Sequence, residues 1–133
     1  MHGEGCVFGK QHHMQRFMEV CLLMLLCEPD CETCHGYALA ERLIRFGFDA
    51  KELNVSTLYR TLRGMEEAGW VASRWISGGP GPQRRAYQIT ETGRAALEEW
   101  IPMLRRRREC IGLLLEAYES LTETTGREHE DRN

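Results

Sequence analysis

The feature that most restricts the fold is a change of hydrophobic period at Gly69. Before it, Val55 to Ala68 (VSTLYRTLRGMEEA) follows a helical repeat. After it, Trp70 to Ile76 (WVASRWI) is bulky and β-branched, the cluster SGGPGP follows, and Ala86 to Ile89 (AYQI) returns. A helix that passes through one glycine into a long-tipped hairpin limits the chain to folds in which a short β-ribbon flanks helices. At about 100° per residue, Val55, Leu58, Leu62 and Met65 share one arc of the helix, with Arg60 opposite. Ser56, Arg63 and Glu67 flank Arg60, and Thr57 and Gly64 lie on its other side. One face is built for a core; the other offers hydroxyls and guanidinium groups. Asn54 and Ser56 both qualify as its N-cap. Gln83, Arg84 and Arg85 stand where the hairpin tip meets the return strand.

Upstream, Met14 to Leu26 (MQRFMEVCLLMLL) reads as a helix hydrophobic nearly all round, which requires burial against other elements or a partner chain. Glu28-Pro29 ends it. Tyr37, Leu39, Ala40, Leu43 and Ile44 predict a second, short helix over Gly36 to Phe46, stopped by Gly47. Residues 1–13 carry three glycines and no period, so a flexible arm is expected. Downstream, Thr90 is the expected N-cap of a last helix running to about Leu121. On it Leu97, Ile101, Leu104, Arg108, Ile111, Leu115 and Tyr118 alternate in steps of four and three. Pro102 costs about 3 kcal/mol in a regular helix interior, so a kink or restart is expected there. The polar tail 122–133 is expected to be disordered. The expected division is an arm (1–13), a domain (14–89), a long helix (90–121) and the tail.

Composition excludes other classes. With 133 residues, 42% hydrophobic and 28% charged, the chain is too apolar for a disordered protein. Its longest apolar run, Val20 to Cys27, is eight residues, too short for a membrane span. No secretory signal is legible, so the expected compartment is the cytoplasm. Six cysteines in a reducing compartment imply thiols or metal ligands, and no disulfide framework is assumed. Residues 36 to 89 hold eight Lys/Arg against five acids, an excess of +3, while the remainder totals −6. A basic middle between acidic flanks suits a nucleic-acid-binding section, although ordinary solvated surfaces carry such an excess too.

Together these elements describe a mainly α fold with a small β-hairpin wing: a winged helix-turn-helix domain plus a C-terminal dimerisation helix. The third helix is expected in the major groove, with Arg60 donating two hydrogen bonds to a guanine edge and Ser56 and Thr57 reaching phosphates. Gln83, Arg84 and Arg85 of the wing would lie along the backbone or minor groove. Arg63 shares the outward face. Tyr59 and Tyr37 are candidates either for packing or for a phosphate contact. A twofold dimer would read half-sites about 34 Å apart, or a multiple, in a near-palindromic operator on double-stranded DNA.

Residues 20 to 100 resemble the PadR-type transcriptional regulators through HGYALAERL (His35 to Leu43), STLYRTLRGMEEAGWV (Ser56 to Val71) and GPGPQRRAYQITETG (Gly79 to Gly93). The resemblance implies a homodimeric, usually repressing DNA-binding protein. It implies that the recognition helix includes Thr57, Tyr59 and Arg60, that the wing includes Arg84 and Arg85, and that the C-terminal helix pairs with the partner subunit. It also implies release of DNA by an effector. The segment CEPDCETC (Cys27 to Cys34) departs from the family, being longer and rich in thiols.

Several residues carry a second reading. Cys27, Cys31 and Cys34, with Cys6 or His35 as fourth ligand, are a candidate zinc or iron–sulfur site, and Cys31 with Cys34 a candidate reversible disulfide. Unliganded thiols are the plainer alternative. The same spacing resembles the iron–sulfur motif of radical enzymes, and CETCH the haem-attachment pattern; chain size and compartment disfavour both. A small thiol or metal redox protein is therefore the alternative function. Cys21 reads as core and Cys110 as flanking the dimer seam. Phe17 and Trp100 are candidates for a pocket holding a planar effector, although core packing explains them equally. Arg105 to Arg108 are expected in helix-surface ion pairs with Glu98, Glu99, Glu109 and Glu116. No catalysis is expected.

Overall fold

The computed structural model describes residues 10–31, 33–49, 51, 53–76 and 84–131, with side chains between 16 and 125. The chain divides into a unit ending at Glu98 and a unit beginning at Glu99. The first contains α1 (Lys10–Leu26), a 3₁₀ turn (Pro29–Cys31), β1 (Cys34–His35) and α2 (Gly36–Leu43), which a second 3₁₀ turn (Ile44–Phe46) prolongs. It continues with α3 (Val55–Glu67), β2 (Val71–Ile76), β3 (Arg84–Ile89) and the first turns of α4 (Glu91–Asp131). Helix α1 starts at Lys10, four residues ahead of the expected Met14; residues 1–9 of the expected arm lie outside the described residues.

The all-round apolar character of α1 reflects burial on more than one side. Leu22, Leu23, Leu25 and Leu26 are each 0% exposed, and the helix packs against α2, α3 and β3. Leu39 and Leu43 of α2 and Leu58 and Leu62 of α3 complete the core. Burying each such leucine contributes about 1.5–3 kcal/mol. Gly47 and Gly69 end their helices with φ of 92° and 82°, the left-handed region that glycine enters without steric cost.

Helix α3 buries Leu58, Thr61, Leu62 and Met65. Val55, expected on the core arc, is 52% exposed, because it occupies the first turn, beyond the reach of the core. Thr61 takes a core position instead. Its hydroxyl donates to the Thr57 carbonyl at 2.8 Å, which satisfies the polar atom and permits burial. Asn54 is the N-cap, its Oδ1 accepting from the Ser56 N–H at 2.8 Å.

The sheet has order β1-β3-β2, antiparallel throughout. The hairpin matches the sequence expectation, with β3 beginning at Arg84, so that Arg84 and Arg85 are strand residues. The edge strand β1 was not legible: two residues carry no period. Thr90 joins two elements through one hydroxyl, which accepts from the Gly93 N–H at 3.0 Å and donates to the Gly69 carbonyl at 2.6 Å. Gly93 is required here, because a β-carbon would collide with the Trp70 carbonyl oxygen.

The second unit is the continuation of the 41-residue α4. The helix does not restart at Pro102, which lies inside it; the proline removes one donor, and the long helical runs on either side carry the element through. Residues 122–131 are helical rather than a disordered tail, while 132–133 lie outside the described residues. Thr122, Thr124 and Thr125 donate their hydroxyls to the carbonyls of Glu119, Ser120 and Leu121. None of Arg105 to Arg108 holds an ion pair within 4.0 Å among the described residues, so the expected helix-surface pairs are not formed. No helix of the described residues is long and apolar enough to cross a membrane.

A candidate nucleic-acid interface

Two structural elements bring the basic residues together. Helix α3, anchored by its buried face, turns Ser56, Arg60 and Arg63 to solvent, while Thr57 is half-buried. Strand β3 lies in the middle of the sheet, and near its start Arg85 lies 3.7 Å from Glu66 of this helix. Its register places Arg84 opposite Ile76, Arg85 opposite Trp75, and Ala86 between Arg74 and His35. Arg74 and Arg84 therefore share one sheet face, while Arg85 lies on the other.

At the meeting point is an open groove of about 400 Å³, lined by His35, Tyr37, Tyr59, Arg84 and Arg85. Tyr37 is 68% exposed. Tyr59 is 37% exposed and its ring lies on the α-carbon of Gly36; a β-carbon there would fall 2.6 Å from Cε1. Packing and exposure thus coexist in Tyr59. His35 Nδ1 is buried and has no hydrogen-bond partner among the described residues. On β3, burial pushes the Tyr87 phenol above its ordinary value of 10.

The arginines differ in what holds them. Arg45 makes a bidentate pair with Glu28 at 2.9 and 2.8 Å, and Arg42 reaches Asp30 at 3.1 Å. Arg85 donates through Nε to Ser73 Oγ at 2.9 Å, lies 3.7 Å from Glu66 and sits 5.4 Å from the Trp75 ring centroid. By contrast Arg60, Arg63, Arg74 and Arg84 have no carboxylate within 4.0 Å among the described residues. The basic excess read from sequence thus resolves into internally paired groups and unpaired cations on α3 and the sheet. Arg74 was missed as a site candidate; its alternation with Ser73 and Trp75 along β2 is the signal that could have found it. Gln83 lies outside the described residues.

Of the alternatives open for the cysteine segment, the structure takes the candidate disulfide rather than free thiols at Cys31 and Cys34. Cys31 and Cys34 are joined as a disulfide, with Cα atoms 5.3 Å apart, so two of the expected thiolate ligands are consumed. His35 follows Cys34 directly in a strand and so points to the opposite face, which separates these two expected ligands. Among the described residues no group of three His, Cys, Asp or Glu side chains is placed to hold a metal, and Cys6 lies outside them. Cys27 is a half-buried free thiol, with Arg94 Nη1 3.7 Å from its Sγ. Cys21 is buried and its thiol is pushed up to about 12 by that burial. Phe17 stacks on Phe48 with centroids 5.7 Å apart, and Trp100 is half-buried; neither lines the groove.

Of the residues expected along the helical seam, Leu97 is 8% exposed and belongs to the first unit, where it forms part of the core. Ile101 and Leu104 are half-buried, and Ile111, Leu115 and Tyr118 are 49%, 53% and 62% exposed. Cys110 is also exposed.

Comparison with known proteins agrees with this geometry. The model of the transcriptional regulator PadR-like family matches residues 22–99. A Mycobacterium tuberculosis protein named as a transcriptional regulator is 35% identical over 80 residues, which cover 60% of this chain and 41% of the relative. The chain thus spans less than half the length of that relative. A solved structure from Thermoplasma acidophilum, also named as a transcriptional regulator, has a TM-score of 0.69 and 26% identity, covering 79% of this chain and 96% of its own. A PadR family regulator from Eggerthella lenta has a TM-score of 0.61 and 30% identity, covering 80% and 89%. Bacillus subtilis PadR, solved in complex with operator DNA, shares the fold with a TM-score of 0.55 at 19% identity, covering 65% and 48%. With a winged helix fold and a family match over most of its first unit, the chain belongs to the PadR-like family of transcriptional regulators.

Proposed function

We propose that this protein is a homodimeric, sequence-specific DNA-binding repressor that acts on a near-palindromic operator in the cytoplasm and is released by an effector. The observation that carries the reading is the outward face of α3. Arg60 and Arg63 are exposed there without a carboxylate partner within 4.0 Å among the described residues, opposite a buried face that fixes the helix. A guanidinium held in this way meets a guanine edge without first breaking an ion pair. Ser56 and Thr57 at the helix start, with Tyr37, Tyr59, Arg84 and Arg85 around the groove, supply phosphate contacts that fix the register. That a protein sharing this fold is solved in complex with operator DNA supports the DNA-binding reading.

Dimerisation is assigned to the second unit. Ile111, Leu115 and Tyr118 recur on one stripe of α4 and are about half exposed, a seam that a second copy would cover. Repression follows from occlusion of the duplex by the bound dimer. For the effector, the candidate aromatic residues are Phe17 in the first unit and Trp100 in the second, taken separately, and quenching of tryptophan fluorescence by an aromatic panel tests Trp100. The test of the whole reading is selection from a random duplex pool. Enrichment of an inverted repeat with half-sites about 34 Å apart, or a multiple, supports it; a pool without enrichment refutes it.

A further inference from the structure

We propose that Cys31 and Cys34 form a redox switch for DNA binding: their disulfide holds the floor of the groove in binding geometry, and reduction by a dithiol relaxes it. The inference rests on the DNA-binding reading above and concerns the regulation of that same surface. Cys34 is the first residue of β1, a two-residue edge strand fixed to β3 only through the pairs Cys34 with Tyr87 and His35 with Ala86. Strands this short have little stability of their own.

The next three residues are the floor and rim of the groove. His35 and Tyr37 line it, and Gly36 carries the Tyr59 ring. Tyr59 precedes Arg60 on the exposed side of α3. A shift of β1 is therefore passed directly to the groups that meet DNA. On the other side of the disulfide, the loop is held by the Glu28–Arg45 and Arg42–Asp30 ion pairs, which are partly solvent-exposed and weakly constraining. Beyond the peptide chain itself, the S–S bond is a covalent cross-link between this loop and the strand.

The bridge closes a very short loop, and loop-closure stabilisation grows with loop length. Although both cysteines are buried, the leucines of α1, α2 and α3 hold the rest of the core, so loss of the bridge falls first on β1. This separates a switch from a staple.

The exchange balances with a dithiol as the named reductant. Both cysteines are buried, Cys34 at 6% and Cys31 at 0% residue exposure, so the exchange requires β1 to open; a thiolate of the dithiol then attacks Cys34 Sγ. The S–S bond breaks, and Cys31 leaves as a thiolate and takes a proton. The second thiol of the reductant then displaces Cys34, giving a cyclic disulfide and a second protein thiol. Two electrons and two protons pass from reductant to protein. Exchange with an oxidised dithiol reverses the step. Cys21 does not compete, since it is buried and far from thiolate formation at neutral pH.

The test uses the full chain, oxidised or treated with dithiothreitol, with disulfide state verified by alkylation and mass. Two readouts are taken: affinity for a selected duplex, and amide hydrogen exchange at 33–37. Reduction is expected to weaken binding by about tenfold, the scale of an ordinary coupling between sites, and to speed exchange at 33–37 while α3 stays protected. A Cys31→Ala/Cys34→Ala variant should match the reduced protein under both conditions, and Cys27→Ala should keep the response. Equal affinity of verified oxidised and reduced protein overturns the switch. So does a bridge that yields only on global unfolding, or a reduced form that takes up stoichiometric zinc or iron. If no duplex binds either form, the DNA reading fails, and the exchange measurement still decides whether the bridge controls β1.

Discussion

The Tyr59 ring rests on Gly36, so that the helix carrying the exposed arginines and the first residue of α2 are fitted to each other through a missing side chain. A second glycine, Gly93, faces the Trp70 carbonyl in the same sense, but against rigid backbone. The two predict different costs. Gly36→Ala meets a ring that can swing, and should lower stability by about 1 kcal/mol, whereas Gly93→Ala should cost about 3 kcal/mol. Adding Tyr59→Ala should relieve the Gly36→Ala strain, leaving a double variant less destabilised than the sum of the single ones. Thermal denaturation checks this, and strict additivity would show that the ring and the glycine are not coupled.

Arg84 and Arg85 are neighbours in sequence but not in role. Arg84→Ala should reduce the slope of log affinity against log salt by about 0.9, the loss of one phosphate contact, with an unchanged melting temperature. Arg85→Ala also removes the link to Ser73 and Glu66, and should lower stability by up to about 1 kcal/mol. Salt titrations and melting curves of both variants decide, and the reverse pattern would exchange the roles.

Glu28 carries a pH prediction. The hydrogen bonds from Arg45 hold its carboxyl below the ordinary value of 4.5, so the folded state binds its proton less readily than the unfolded chain. The stabilisation is therefore present above about pH 4.5 and is lost as pH falls through the lowered folded value. Glu28→Gln should melt lower than the parent at pH 6, with the difference shrinking on acidification. A difference that grows toward low pH would contradict the sign.

The seam on α4 predicts the assembly. Ile111→Lys with Leu115→Lys should convert a dimer to a monomer by sedimentation while far-ultraviolet dichroism keeps the helical signal, because lysine retains good helix propensity. A parent chain that sediments as a monomer at micromolar concentration removes the seam.

Most of the fold was legible because its signals are local. Asn54, Gly47 and Gly69 mark helix ends by capping chemistry, and the arc of Leu58, Leu62 and Met65 fixes which side of α3 is buried. What escaped depends on tertiary context. Strand β1 is too short to carry a period and exists because β3 offers it an edge. Thr61 is buried because a carbonyl one turn earlier accepts its proton. At the site, Arg60 and Arg63 follow from the helical wheel, whereas the pairing of Arg42, Arg45 and Arg85 with acids distant in sequence does not.

The most direct test of the account is the affinity of Arg60→Ala for the duplex selected by the parent protein, measured beside a scrambled duplex. A loss of about 1–3 kcal/mol on the selected sequence, with little change on the scrambled one, is the predicted result. Equal affinity of the variant and the parent for the selected duplex would contradict the placement of α3 against the bases.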